Sequence, residues 1–122
     1  MTLPRTVLIV DDEEDIDCLI QQKFRHEIKT HRLIFLFARH GVAALDLLKK
    51  TPELSMVITD IHMPLMNGIE LLTHIKKQYP SIKVFVMSAY TDKTNMDKAT
   101  LAGADGFISK PLHLNHLKDI IL

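Results

Sequence analysis

Five short apolar runs recur along the 122-residue chain, at residues 7–10, 33–37, 57–59, 84–87 and 107–108, and none alternates polar with apolar positions. Each has strand length and is rich in Val, Ile or Phe. A strand with one wet face reads as alternation, so continuous apolar runs point to strands covered on both faces. The segments between them carry helical spacing. Ile16, Leu19, Ile20, Phe24 and Ile28 make one stripe, and Leu45 and Leu48 mark a second helix after Gly41. Leu71, Leu72, Ile75 and Tyr79 mark a third, with Asn67 as its N-cap. Met96, Ala99 and Ala102 mark a fourth, stopped by Gly103, and Leu114, Leu117 and Ile121 begin a fifth.

Strands alternating with helices imply a parallel sheet, because each right-handed crossover lays a helix over one face. An α/β chain of this length, with five strands and five helices, fits the flavodoxin-like doubly wound order 2-1-3-4-5 as one domain over residues 1–122. Such sheets bind ligands at the carboxyl ends of the strands, beside the switch point between strands one and three. Those two ends carry Asp11, Asp12 and Asp60, and the fifth strand ends at Lys110-Pro111. Carboxylates and an amine therefore converge on one sheet edge. That combination suits a metal ion, a nucleophilic carboxylate and a cation that pairs with phosphate.

Composition narrows the function classes. Lys plus Arg and Asp plus Glu both number 15, so no basic excess argues for nucleic-acid binding. No apolar run has membrane-spanning length, and residues 1–5 lack the apolar stretch of a signal peptide. A lone cysteine, Cys18, cannot form an internal disulfide, and a reducing cytoplasm is the expected compartment. The chain closes on Ile120-Ile121-Leu122 after barely two turns of its last helix. An apolar end of this kind leads us to expect the N-terminal part of a longer protein.

The strand-end motifs together resemble a known family. Val-Leu-Ile-Val-Asp11-Asp12-Glu13, Thr59-Asp60-Ile61-His62-Met63-Pro64-Leu65-Met66-Asn67-Gly68, Ser88-Ala89 and Lys110-Pro111 resemble the signatures of the two-component response-regulator receiver domain, over essentially the whole chain and in order. The resemblance implies that Asp60 attacks a phosphohistidine on a histidine kinase or histidine phosphotransfer protein, forming an aspartyl phosphate. It implies Mg²⁺, with Mn²⁺ as a substitute, ligated by Asp12 and Asp60, by Asp11 through water and by the His62 backbone carbonyl. Lys110 pairs with Asp60 and then with the phosphoryl group, and the Lys110–Pro111 bond is expected cis. Ser88 hydrogen-bonds the new phosphoryl, and Phe107 takes the place of the switch aromatic. The expected output face is the fourth helix, fifth strand and fifth helix, acting on an attached output domain, a partner or a second copy in a homodimer. The expected product is a conformation, not a metabolite.

Two positions depart from the commonest family pattern. His62 stands two residues after Asp60, and Tyr90 two after Ser88. The resemblance implies that both border the phosphoryl position, where a bulky Tyr90 shields it from water and His62 either does likewise or orients a water, and slow self-dephosphorylation is expected. A haloacid-dehalogenase-type phosphatase also uses a strand-end Asp with Mg²⁺, but it needs an acid where His62 stands. An FMN binder needs a phosphate-cradling loop after strand one, where this chain is acidic. A degenerate receiver used only for docking is disfavoured, since every chemical position is filled.

Blander readings fit other residues. Glu14 and Asp15 suit charges that favour a helix N-terminus. Asp11-Asp12-Glu13-Glu14-Asp15 does not begin an EF-hand, because Ile16 and Gln22 stand where that loop needs Gly and Glu. His113 and His116 read as surface histidines rather than metal ligands, and Cys18 as an unreactive thiol. The methionines read as packing elements, except Met63 and Met66 in the loop after Asp60.

Overall fold

A computed structural model of the chain describes residues 4–89 and 92–122. Five parallel strands are ordered β2-β1-β3-β4-β5, as expected. They are β1 (Arg5–Val10), β2 (Leu33–Ala38), β3 (Leu54–Asp60), β4 (Lys83–Ala89) and β5 (Gly106–Lys110). The helices are α1 (Glu14–Lys23), α2 (Arg25–Lys29), α3 (Gly41–Lys50), α4 (Gly68–Gln78), α5 (Lys93–Leu101) and α6 (Leu114–Ile121).

The strands bury both faces because alternate side chains enter separate cores. Leu8, Val10, Val57, Val84 and Val86 face α3, α4 and α5, whose Ala44, Leu48, Leu71, Leu72, Ile75 and Ala99 cover them. Val7, Ile9, Met56 and Ile58 face the other way, onto Ile16, Ile20, Phe24, Leu117 and Ile121. Each fully buried aliphatic side chain contributes about 1.5–3 kcal/mol, so these two layers hold the sheet between the helices. The Arg5 guanidinium donates to the Ile121 carbonyl, tying α6 to the start of β1.

Six helices replace the expected five, because the first breaks at Phe24. Phe24 has φ −103° and ψ 21°, outside the helical well, and its side chain is fully buried. Its ring lies 5.2 Å from that of Phe35 on β2, so tertiary packing bends the chain where the spacing read as one stripe. The stripe also overreached at Leu19, which is 45% exposed.

The expected cap of α4 is present in full. Glu70 N donates to Asn67 Oδ1 at 2.9 Å, and Asn67 N donates to Glu70 Oε1 at 3.4 Å. Such a cap contributes about 1 kcal/mol and fixes where the helix starts. Gly103 ends the turn after α5 at φ +100°, a conformation that suits glycine. Met63 corrects the expectation for the loop after Asp60. It is 9% exposed and belongs to the core, with Met66 packed beside it, so the loop is pinned from below.

Candidate functional site

Register brings the chemical residues together. Val10 pairs with Thr59, and Ala89 pairs with Lys110, so the ends of β1, β3, β4 and β5 share one sheet edge. Carboxylate oxygens of Asp11, Asp12 and Asp60 lie within 4.8 Å of one another. Asp11 and Asp60 are buried, and Asp12 is exposed at the mouth. Among the described residues they form the one cluster of three or more acids, histidines or cysteines spaced to hold a metal. An all-oxygen donor set with an open side fits a hard divalent cation that keeps several waters.

Lys110 reaches into this cluster from β5. Its Nζ lies 2.8 Å from Asp60 Oδ2 and 3.2 Å from Asp11 Oδ2. Burial disfavours its charge, but the Asp60 hydrogen bond and the fields of Asp60 and Asp11 outweigh that, and its pKa is raised above 10.5. Burial also pushes the Asp11 carboxyl up from 3.8, more than the Glu13 amide and Lys110 draw it down. One ammonium thus serves two buried carboxylates, and the site retains an appetite for a further cation. The Lys110–Pro111 bond is cis, as the resemblance implies.

Backbone groups orient the acids. Glu13 N donates to Asp11 Oδ1 at 2.9 Å, and His62 N donates to Asp60 Oδ1 at 3.3 Å. The chain after Asp60 therefore folds back over it. Ser88 is buried at the end of β4, with its hydroxyl 3.2 Å from the Ala89 carbonyl. Phe107 is half-buried on β5 opposite Val86, packed against the core under α3, α4 and α5. Tyr90 lies outside the described residues. His113, His116 and Cys18 are all exposed, in keeping with their surface readings.

Two contributors escaped the sequence reading. Arg39 holds Asp17 through both carboxylate oxygens, at 2.6 and 3.1 Å, and reaches the Glu13 carbonyl at 3.3 Å, bracing the acidic loop. Asp92 meets the His62 imidazole at 2.9 Å. The Asn95 side-chain bond, then the His62 bond, hold its carboxyl below 3.8. Neither residue has a spacing signal, since both act across loops distant in sequence.

Residues 7–122 match the family model described as the response regulator receiver domain. The chain belongs to that family. This receiver domain is 34% identical over 113 residues to a cyclic di-GMP phosphodiesterase of Thermotoga maritima, covering 93% of this chain and 29% of that protein. It is 32% identical over 120 residues to the chemotaxis protein CheY of Halobacterium salinarum, covering 98% of this chain and 95% of that protein. Among solved structures, it superimposes with TM-score 0.86 and 30% identity on the signal receiver domain of an HD domain-containing protein from Pseudomonas fluorescens, covering 99% of this chain and 86% of that one. The chain thus spans less than a third of the phosphodiesterase and nearly all of CheY. Membership places it in two-component signalling and sets aside the dehalogenase and FMN-binder readings. No helix among the described residues is long and apolar enough to cross a membrane.

Proposed function

We propose that this receiver domain accepts a phosphoryl group on Asp60 from a phosphohistidine of a histidine kinase or phosphotransfer protein, in the cytoplasm. The carrying observation is the contact of Lys110 Nζ with Asp60 Oδ2 at 2.8 Å inside a three-carboxylate cluster. Asp60 Oδ1 is steered by the His62 amide while Lys110 holds Oδ2, so the carboxylate is oriented before the donor arrives. As Asp60 bonds to phosphorus, the P–N bond of the donor histidine breaks and its imidazole leaves with the electron pair, and Lys110 transfers its hydrogen bond from the carboxylate to a phosphoryl oxygen. Ser88 turns its hydroxyl to another. Asp11, Asp12, Asp60 and the His62 carbonyl would hold Mg²⁺ or Mn²⁺, which supplies the positive charge that lets two anions approach.

The chain contributes positioning and electrostatics, and its output is a shape. Ser88 on β4 and Phe107 on β5 connect Asp60 to the face formed by α5, β5 and α6, which are the expected fourth helix, fifth strand and fifth helix. An attached output domain is one reader of that face, consistent with the longer relatives, and a second copy is another. His62 and Tyr90 slow the loss of phosphate to water.

Acetyl phosphate with Mg²⁺, followed by intact-mass spectrometry, tests the assignment. One phosphoryl adduct on the wild type and none on Asp60→Asn is expected. An equal adduct on Asp60→Asn would overturn it. Faster decay of the adduct in Tyr90→Ala is expected, and an unchanged decay removes Tyr90 from shielding.

A further inference from the structure

Asp92 stands at the N-terminal boundary of α5, and one of its carboxylate oxygens gathers contacts from three places. Its Oδ2 accepts from His62 Nε2 at 2.9 Å, in the loop after β3, and from Asn95 Nδ2 at 2.9 Å, in the first turn of α5. The Ser88 hydroxyl, near the end of β4, lies 3.5 Å from the same oxygen. Although Asp92 occupies the cap position, its side chain makes no capping bond to α5. Two of the three contacts on that oxygen, from His62 and Ser88, face the site, and the third, from Asn95, stays on α5.

We propose that Asp92 is a positioning residue that latches the phosphate-free form, tying the loop after β3 to the end of β4 and keeping the Ser88 hydroxyl turned to Ala89 and Asp92. The proposal rests on the reading of Asp60 as phosphoacceptor and Ser88 as its hydroxyl partner. A serine hydroxyl has one proton, so it cannot serve its present acceptors and a phosphoryl oxygen together. The Asp92 carboxylate and a phosphoryl group carry the same sign of charge, so near Ser88 they compete for that proton and repel each other. His62 follows Asp60 just past the end of β3, and Ser88 lies near the end of β4, the strand paired with β3. Releasing Asp92 therefore frees both. A contact made only in the phosphate-free form weakens binding to the other form by the share of molecules it holds back.

Titration of the whole chain with beryllofluoride and Mg²⁺, followed by amide NMR, tests the latch. Asp92→Ala is expected to bind about five-fold tighter than wild type, within the usual range of coupling between two states. Its free spectrum should already show the Ser88 and His62 amides displaced toward their bound positions. Asp92→Glu keeps the acceptor and the charge and should stay near wild type. His62→Ala removes the other end of the latch and should shift affinity in the same direction, with little added by combining it with Asp92→Ala. An unchanged or weaker affinity in Asp92→Ala, or an equal gain in Asp92→Glu, overturns the latch alone. A wild-type chain that takes up no beryllofluoride overturns the phosphoacceptor reading and the latch with it.

Discussion

Gly68 lies directly against the backbone of Asp60. A Cβ at position 68 would stand 2.1 Å from the Asp60 carbonyl oxygen and 2.8 Å from Ile61 Cα, and Gly68 N donates to the Ile61 carbonyl at 2.8 Å. The start of α4 is thereby pressed onto the end of β3, and this contact sets the path of the chain immediately after Asp60. The atoms in the way are main chain, so they cannot swing aside as a side-chain tip could. Gly68→Ala is expected to destabilise the fold by about 1–3 kcal/mol, the usual cost of overpacking. It should also slow phosphorylation by acetyl phosphate, because Asp60 must move. Chemical denaturation and adduct formation measure the two effects, and a variant with wild-type values in both would refute the contact.

The divalent-ion site is expected to report itself through stability. A ligand that binds only the folded chain stabilises it by about 2.7 kcal/mol at a hundred-fold excess over its dissociation constant. Mg²⁺ should therefore raise the thermal midpoint, and chelation should reverse the gain. Asp12→Asn removes one member of a carboxylate cluster whose oxygens lie within 4.8 Å. It should lose most of the Mg²⁺ effect while matching or exceeding wild-type stability in metal-free buffer, since like charges in that cluster repel. Calorimetric scans with and without Mg²⁺ decide this. A full Mg²⁺ shift in Asp12→Asn would take Asp12 out of the site.

What the sequence reveals of each residue depends on the force that places it. Val7 to Val10 declare themselves because every one of them is buried, whichever face it points to. Asp11, Asp60 and Lys110 are legible because a strand end is a fixed place in a doubly wound sheet, and parallel register carries three such ends to one edge. Helical spacing places the Phe24 ring in the core with Ile16 and Ile20, but it does not show that the helix breaks there. Met63 was misread because a residue in a loop has no period, and its burial comes from contacts that only the folded loop makes. Asp92 was invisible for the same reason. Its partners His62 and Ser88 belong to other segments, and no spacing rule links a carboxylate in one loop to an imidazole in another.

Asp105 provides the acid-sensitive fastening on the opposite edge of the sheet. Its Oδ2 accepts from Lys76 Nζ at 2.7 Å and from Val84 N at 2.7 Å, while Lys83 lies 3.9 Å from Oδ1. Burial pulls its carboxyl upward, but the Lys76 bond, the Val84 amide and the two ammonium charges more than offset that, leaving its pKa below 3.8. A carboxylate depressed in the folded state contributes stability that is present above the unfolded value and lost as pH falls through the folded one. Asp105→Asn should cost about 1 kcal/mol at neutral pH, allowing for its partial exposure. The gap between variant and wild type should narrow as the pH falls below 3.8. Urea titrations at several pH values measure it, and a gap that widens on acidification contradicts the assignment.

Ser88 separates accepting the phosphoryl group from responding to it. Its hydroxyl is buried and bonded to the Ala89 carbonyl at 3.2 Å, and nothing in the Asp60–Lys110 contact depends on it. Ser88→Ala should therefore still take up acetyl phosphate or beryllofluoride at Asp60. A ligand shifts a two-state protein only by its difference in affinity between the states, and without the hydroxyl most of that difference disappears. Phe107 sits on β5 opposite Val86, two residues before Ser88 on β4, so it is an aromatic reporter of the shift on the neighbouring strand. In the wild type, beryllofluoride should move the amide signals of Phe107 and of α5 and α6. In Ser88→Ala those signals should move little while the signals around Asp60 still respond. Equal displacement of the Phe107 signals in both proteins would mean that the response reaches β5 by a route that bypasses Ser88.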